Sequence, residues 1–346
     1  MDRILLLTMG DPAGIGPEVT VKALSHPEAR RGCIPVVVGD EQPMRAALEF
    51  TGSSLSLNVI EQPEEALCRE GVIDLMDLRA LRGQAYTPGK VSAACGEAAF
   101  CYVTKAIELA MQGRAAGVVT APINKEALHL AGHKYSGHTE IFADYTNTRD
   151  YAMLLMSGAL RVIHVTTHVS MREACDLIKT ERVLKTIRLA QEALTMLGMP
   201  KGKIGVAGLN AHASENGLFG HEEADAILPA IEMARAEGID AEGPVPPDTV
   251  FVKAAGGVYD IVVAMYHDQG HIPLKLFGFR MDPKTGLFSS MSGINTTIGL
   301  PIIHTSVDHG TAFDRAGKNT ANEMSMVEAI TTAVQMIPYY EAKKHA

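Results

Sequence analysis

Apolar residues along this chain fall into short runs that alternate with patterns of helical spacing. Ile4–Thr8 and Ile34–Gly39, with residues 116–120, 162–166, 204–209, 260–265 and 302–306, are runs of strand length. Residues 55–60 and 151–156 extend the set. Residues 91–112, 183–197, 221–237 and 324–336 place apolar side chains on one helical face, and each stops near Gly113, Gly198 with Pro200, Gly238 or Pro338. Pro17 suits the first turn of a helix after the first strand, and Asp40 suits a cap after the second. The stretch 243–247, with its Gly and Pro residues, reads as a loop. Several strands are almost wholly apolar, as parallel strands covered on both faces are. The pattern predicts an α/β fold with helices on both sides of the sheet.

Composition narrows the function. The chain has 346 residues, enough for about two domains. With 47% hydrophobic and 21% charged residues it is an ordinary globular sequence. The net charge of −9 repels phosphate backbones and argues against nucleic-acid binding. No apolar run reaches the ~18 residues of a membrane helix, and the start carries no signal-peptide pattern, so a cytoplasmic protein is expected. Cys33, Cys68, Cys95, Cys101 and Cys175 form no Cys-x-x-Cys pair and read as reduced thiols.

Chemistry concentrates where strands end. His168, His212 and His267 each follow an apolar strand. Carboxyl ends of strands line ligand crevices in open α/β sheets, and three imidazoles there can hold a divalent metal with a position left open. The segment MGDPAGIGPE also follows a strand and opens a helix, but its glycines do not make G-x-G-x-x-G and there is no Walker lysine. A tight turn is its simplest reading. The run Tyr135-Ser136-Gly137-His138-Thr139-Glu140 suits an anion or a helix cap. Residues 308–323 form a polar, glycine-containing loop between a strand and a helix.

Together the strings MGDPAGIGPE, TAPINKEA, SGHTE, HVTTHVS, GLNAHASENGLFG, DIVVAMYHDQGH and IGLPIIHTSVDHGTAFDRAGKNTANE resemble the 4-hydroxythreonine-4-phosphate dehydrogenase family, in that family's order. The loop 309–322 is also similar to the adenine-binding loop of isopropylmalate and isocitrate dehydrogenases. The resemblance implies two α/β/α domains around a cleft, isopropylmalate/isocitrate dehydrogenase-like rather than Rossmann. It places a first domain, with the cofactor loops, at 1–125 plus 300–346 and a second, with metal and dimer contacts, at 126–299.

The resemblance further implies a homodimer with the site at the interface. The metal (Zn, Mg or Co) is then held by His168, His212 and, from the partner, His267. Substrate contacts fall on His138, Thr139, Lys275, Asn295 and the position of His304. Catalytic roles fall on Lys275, Asp248 and Asp268. NAD or NADP would lie along Gly299, Pro301, His309, Gly310, Asp314 and Asn322, the last two nearest the adenosine. The implied reaction is oxidation of a secondary alcohol, with decarboxylation of the resulting β-keto acid. The implied substrate is 4-phosphohydroxy-L-threonine or a close analogue. D-threonate or D-erythronate 4-phosphate, a dihydrodiol carboxylate, and an inactive ligand-binding regulator are the alternatives. Two departures bear on substrate identity. His304 stands where the family has an arginine, and the segment 279–294 is longer than expected. A histidine offers a conditional charge where arginine offers a fixed bidentate grip, so His304→Arg is expected to raise activity on 4-phosphohydroxy-L-threonine.

Overall fold

The computed structural model describes residues 3–283 and 288–344. It divides into two compact units, one of residues 1–148 and 300–346 and the other of residues 149–299.

The first unit runs β1 (Ile4–Thr8), α1 (Gly16–Ala23), β2 (Ile34–Gly39), α2 (Glu41–Thr51), β3 (Ser56–Ile60), β4 (Val72–Asp77), α3 (Ala93–Met111), β5 (Gly117–Thr120), α4 (Lys125–Leu130) and α5 (His138–Tyr145). It is completed by β14 (Ile303–Val307) and α11 (Met324–Lys344). Its strands lie in the order β3-β4-β2-β1-β5-β14, all pairs parallel. β1, β5 and β14 are buried along their whole length; β1 and β5 therefore read as largely apolar runs, whereas β14 also buries His304, Thr305 and Ser306. The chain leaves this unit after residue 148 rather than at 125, because α4 and α5 pack on α3. Ser92 and Asn124 cap α3 and α4 by accepting from the Cys95 and Ala127 amides. Asp40 stands before α2 but caps nothing there; its carboxylate accepts from the amides of Ala80 and Leu81. α11 continues through Pro338 instead of stopping before it.

The second unit runs β6 (Ala152–Ser157), β7 (Leu160–His164), α6 (Met171–Leu177), α7 (Thr180–Met196), β8 (Ile204–Ala207), α8 (Leu228–Ala236), β9 (Ala241–Val245), α9 (Pro247–Ala255), β10 (Ile261–Ala264), α10 (His267–Gly278), β11 (Phe279–Met281), β12 (Phe288–Met291) and β13 (Ile294–Ile298). Its strands lie in the order β13-β6-β7-β10-β8-β9. β13, β6 and β7 pair antiparallel, whereas β7, β10, β8 and β9 pair parallel. The stretch 243–247, expected to be a loop, instead begins inside β9, with Pro244 after a cis bond to Gly243. β9 is the outermost strand of its unit, where proline costs no ladder bond. β11 and β12 form an antiparallel pair within the long segment 279–294, of which residues 284–287 lie outside the described residues. All five cysteines are free thiols. No described helix is long and apolar enough to cross a membrane.

Candidate functional site

The second unit places β7, β10 and β8 side by side and parallel, so the segments leaving their carboxyl ends emerge together. His168 follows β7, His267 opens α10 just after β10, and His212 follows β8. Gln269 ties two of these exits: its Oε1 accepts from the Met265 amide at 2.6 Å and its Nε2 donates to the Gly208 carbonyl at 2.8 Å.

The imidazoles of His168 and His267 are 5.8 Å apart by ring centroids. His267 is held on two sides. Its Nδ1 donates to the Asp268 carboxylate at 2.6 Å, and its ring stacks on His271 at 3.6 Å. That carboxylate fixes the proton on Nδ1 and leaves the Nε2 lone pair for a ligand. His271 leans on His164, whose ring is 4.9 Å away. His164 is fully buried, with Nδ1 on the Met153 carbonyl and Nε2 unpartnered, and burial pushes its pKa down to about 3.

His212 is exposed and is carried on an unusual backbone. His212, Ala213 and Ser214 have φ of 54°, 52° and 63°, and Glu215 and Asn216 continue at 48° and 56°. Five successive non-glycine residues in the left-handed region cost roughly 1–2 kcal/mol each. His212 pairs with Glu215 at 3.2 Å, and its ring lies 6.4 Å from Phe219.

Among the described residues, no group of three or more His, Cys, Asp or Glu side chains of one chain is gathered as a metal-holding cluster. The donors nevertheless suit a borderline divalent ion: imidazoles, one with its Nε2 freed by a carboxylate. Lys275 lies on α10 with Nζ 4.6 Å from the Phe279 ring centroid. Asp248, in the first turn of α9, is exposed. Asn295 lies on β13, and its buried Oδ1 has no partner. Gly299 closes β13 at φ +97°, where a Cβ would sit 2.3 Å from the Asp150 carbonyl oxygen.

In the first unit, α5 opens with His138 and Thr139, and Gly137 rather than Ser136 occupies the cap position. His138 Nε2 is buried without a partner, and desolvation brings its pKa down to about 4. It is therefore neutral near pH 7. His304 is 1% exposed: its ring stacks on Phe142 at 3.7 Å, and its Nε2 faces the Thr120 hydroxyl at 3.2 Å. Burial, with His138 6.0 Å away, holds its pKa well below the ordinary value. An arginine introduced here would enter an enclosed space before reaching any anion.

The loop 309–322 is anchored in the same unit. The Ile15 amide donates to the Thr311 carbonyl at 3.0 Å. On α1, the Glu18 carboxylate accepts from the Ala321 amide at 2.8 Å and Lys22 donates to the Ala321 carbonyl at 2.9 Å. The glycines of MGDPAGIGPE permit close packing, as a Cβ on Gly16 would sit 2.1 Å from the Met9 carbonyl oxygen. Asp314 and Gly310 stand exposed on the loop, with His309 half-buried. Asn322 Oδ1 caps α11 by accepting from the Met324 amide at 3.0 Å. Pro301 is exposed ahead of β14. His271, His164, Gln269 and Glu223 were not singled out from sequence. The first three sit in or beside quoted motifs, whereas Glu223 carries no local signal.

Fold and strand-end site place the chain among mixed α/β dehydrogenases. The solved structure of a 4-hydroxythreonine-4-phosphate dehydrogenase from Klebsiella pneumoniae is similar at a TM-score of 0.84 and 45% identity, covering 97% of this chain and 100% of that one. A terephthalate 1,2-cis-dihydrodiol dehydrogenase from Burkholderia xenovorans is similar at 0.65 and 30%, covering 97% and 98%. Among curated proteins, a D-threonate 4-phosphate dehydrogenase of Cupriavidus necator is 47% identical over 96% of this chain and 97% of that protein. The family model described as pyridoxal phosphate biosynthetic protein PdxA matches residues 31–333. The chain belongs to the PdxA family. The resemblance read from the motifs is borne out for family and fold class.

Proposed function

We propose that this chain is an NAD- or NADP-dependent, metal-assisted dehydrogenase that oxidises and decarboxylates D-threonate 4-phosphate or a closely similar 4-phosphorylated hydroxy acid. The observation that carries the reading is that His168 and His212 follow the parallel strands β7 and β8, while His267 opens α10, whose exposed apolar face suits contact with a second copy, in a PdxA-family chain. The choice of substrate is supported by the D-threonate 4-phosphate dehydrogenase at 47% identity. A second reading, 4-phosphohydroxy-L-threonine, is favoured by the Klebsiella pneumoniae structure at 45%. The dihydrodiol relative, at 30%, supports its own substrate less.

His168 and His212 would hold the ion with His267 of a second copy, and the unit 149–299 would supply the dimer contacts. Ile272, Leu276 and Phe277 on α10 are 65%, 82% and 48% exposed, an apolar face on the helix that carries His267. Five free thiols suit a reducing cytoplasm. When bound, the ion supplies Lewis acidity at the substrate hydroxyl and the nicotinamide supplies the hydride acceptor. Asp268 orients His267. Lys275 Nζ contacts the substrate's anionic oxygens and delivers the proton to the carbon that loses CO2. His138 and Thr139, at the positive end of α5, donate to the anionic end. Asn295 Oδ1, buried and unpartnered, accepts from a substrate hydroxyl. The loop 309–322, with Asp314 and Asn322, holds the adenosine, and Gly299 and Pro301 flank it. Asp248 is assigned a supporting catalytic role. The test is substrate-dependent nucleotide reduction with CO2 released in equal amount. Reduction abolished by a chelator and restored by Zn, Mg or Co supports the reading, whereas none with any phosphorylated hydroxy acid overturns it.

A further inference from the structure

The left-handed turn 212–216 contains no glycine. Its own backbone bonds mostly close its exit: the Ser214 carbonyl accepts from the Asn216, Gly217 and Phe219 amides and the Glu215 carbonyl from the Leu218 amide, whereas at its entry the Ala213 amide donates to the Asn210 carbonyl. What fixes its entry is Glu223, 3% exposed, the first residue of a π-helical turn (Glu223–Ile227) that leads into α8. Its Oε1 accepts from the amides of Leu209 and Asn210 at 2.8 and 2.7 Å, and its Oε2 accepts from Asn210 Nδ2 at 2.9 Å. Glu222 accepts from the same Asn210 amide at 2.7 Å. The space is shaped for this contact. A Cβ on Gly208 would lie 2.9 Å from Ala213 Cα and 3.1 Å from Glu223 Oε1, and one on Gly220 would lie 2.6 Å from Glu222 Oε2. Strain at a side chain with a chemical role persists only where surrounding contacts over-determine it.

We propose that Glu223 is a positioning residue: it clamps the chain at Leu209–Asn210, holds the left-handed turn against relaxation, and so presents the His212 imidazole for metal. The role in metal presentation rests on the reading of His212 as a ligand; the clamp itself does not. Neither Glu223 nor Ala213 touches the reacting groups.

The test is a cycle of Glu223→Ala, Ala213→Gly and the double variant in the full chain, with Glu223→Gln and His212→Ala alongside. Each protein is titrated, metal-free, with Co2+ and read by its visible absorption, and each is unfolded in urea. Glu223→Ala is expected to weaken Co2+ binding about 10–100-fold, the range for lost supports of metal ligands. Glu223→Gln, which keeps one acceptor oxygen, loses less. Ala213→Gly, at ease in the left-handed region, recovers part of the loss in the Glu223→Ala background and changes little in the parent. Co2+ binding by Glu223→Ala equal to the parent's, with His212→Ala weakened, overturns the proposal, as does an Ala213→Gly effect identical in both backgrounds. If His212→Ala binds Co2+ as the parent does, the metal reading has failed instead. The urea cycle then decides the clamp: coupling between positions 223 and 213 sustains it, and additive effects overturn it. Should Glu223→Ala not fold, Glu223→Gln replaces it in the same cycle.

Discussion

Three histidines are enclosed in neutral form, and acidification should find them. His164 sits near a pKa of 3 and His138 near 4, and His304 is held well below its ordinary value, each chiefly by loss of water. Their folded pKa values lie below the unfolded one, so the stability they contribute is present above about pH 6.5 and is lost as pH falls towards the folded values. Between pH 6 and pH 5 the unfolded chain binds about 1.8 more protons at His164 and His138 than the folded one, and His304 adds to this in the same direction. Asp11 works the other way. Its buried carboxyl, with Oδ2 unpartnered, is raised to about 6 and takes up a proton in this window. It offsets about 0.7 proton, which leaves about 1 proton at about 1.4 kcal/mol. Unfolding free energy should therefore fall by at least about 1 kcal/mol from pH 6 to pH 5, with His304 deepening the fall. Urea denaturation of the metal-free protein at pH 7, 6 and 5 measures it, and His304→Leu should make the pH slope shallower. A free energy that stays level or rises between pH 6 and pH 5 would refute the enclosure of these rings.

Asp268→Asn should weaken Co2+ binding about 10–100-fold by freeing the His267 ring; an unchanged titration would show that the 2.6 Å contact orients nothing. Gly270→Ala places a Cβ 2.3 Å from His164 Nε2 and 2.7 Å from Val162 Cγ1, and should cost about 1–3 kcal/mol in urea denaturation. His304→Arg buries a charge beside a neutral His138 and should destabilise the free protein by about 3–5 kcal/mol, with inorganic phosphate restoring part of the loss in a melting experiment. A variant as stable as the parent without phosphate would show that the position is open to water.

Most strands legible in sequence are buried on both faces. β1 and β2 appear as mainly apolar runs because a helix-covered sheet favours apolar side chains on both of its faces. β4 escaped because Asp74 interrupts its apolar run. That carboxylate is buried, and it is satisfied by the Leu67 and Cys68 amides and by Asn58, partners no local pattern reveals. β9 escaped because Gly243-Pro244 signals a turn, and only its outermost place in the sheet makes proline acceptable there. The strand-end position of His168, His212 and His267 was legible, since each follows an apolar run. The adjacency of β7, β10 and β8 was not, because strand order is a tertiary fact. Nor was the enclosure of His304, which depends on how Phe142 of α5 docks over β14. The left-handed turn lacks the glycines that ordinarily announce one, so its clamp could be seen only in the fold.

Oxidation of a phosphorylated hydroxy acid is read most directly by steady-state nucleotide reduction, with divalent ion present, on D-threonate 4-phosphate, 4-phosphohydroxy-L-threonine and an unphosphorylated dihydrodiol carboxylate. The highest kcat/KM is expected with D-threonate 4-phosphate, a lower value with 4-phosphohydroxy-L-threonine, and little turnover without phosphate. Efficient turnover of the dihydrodiol carboxylate, with both phosphorylated acids inert, would contradict it.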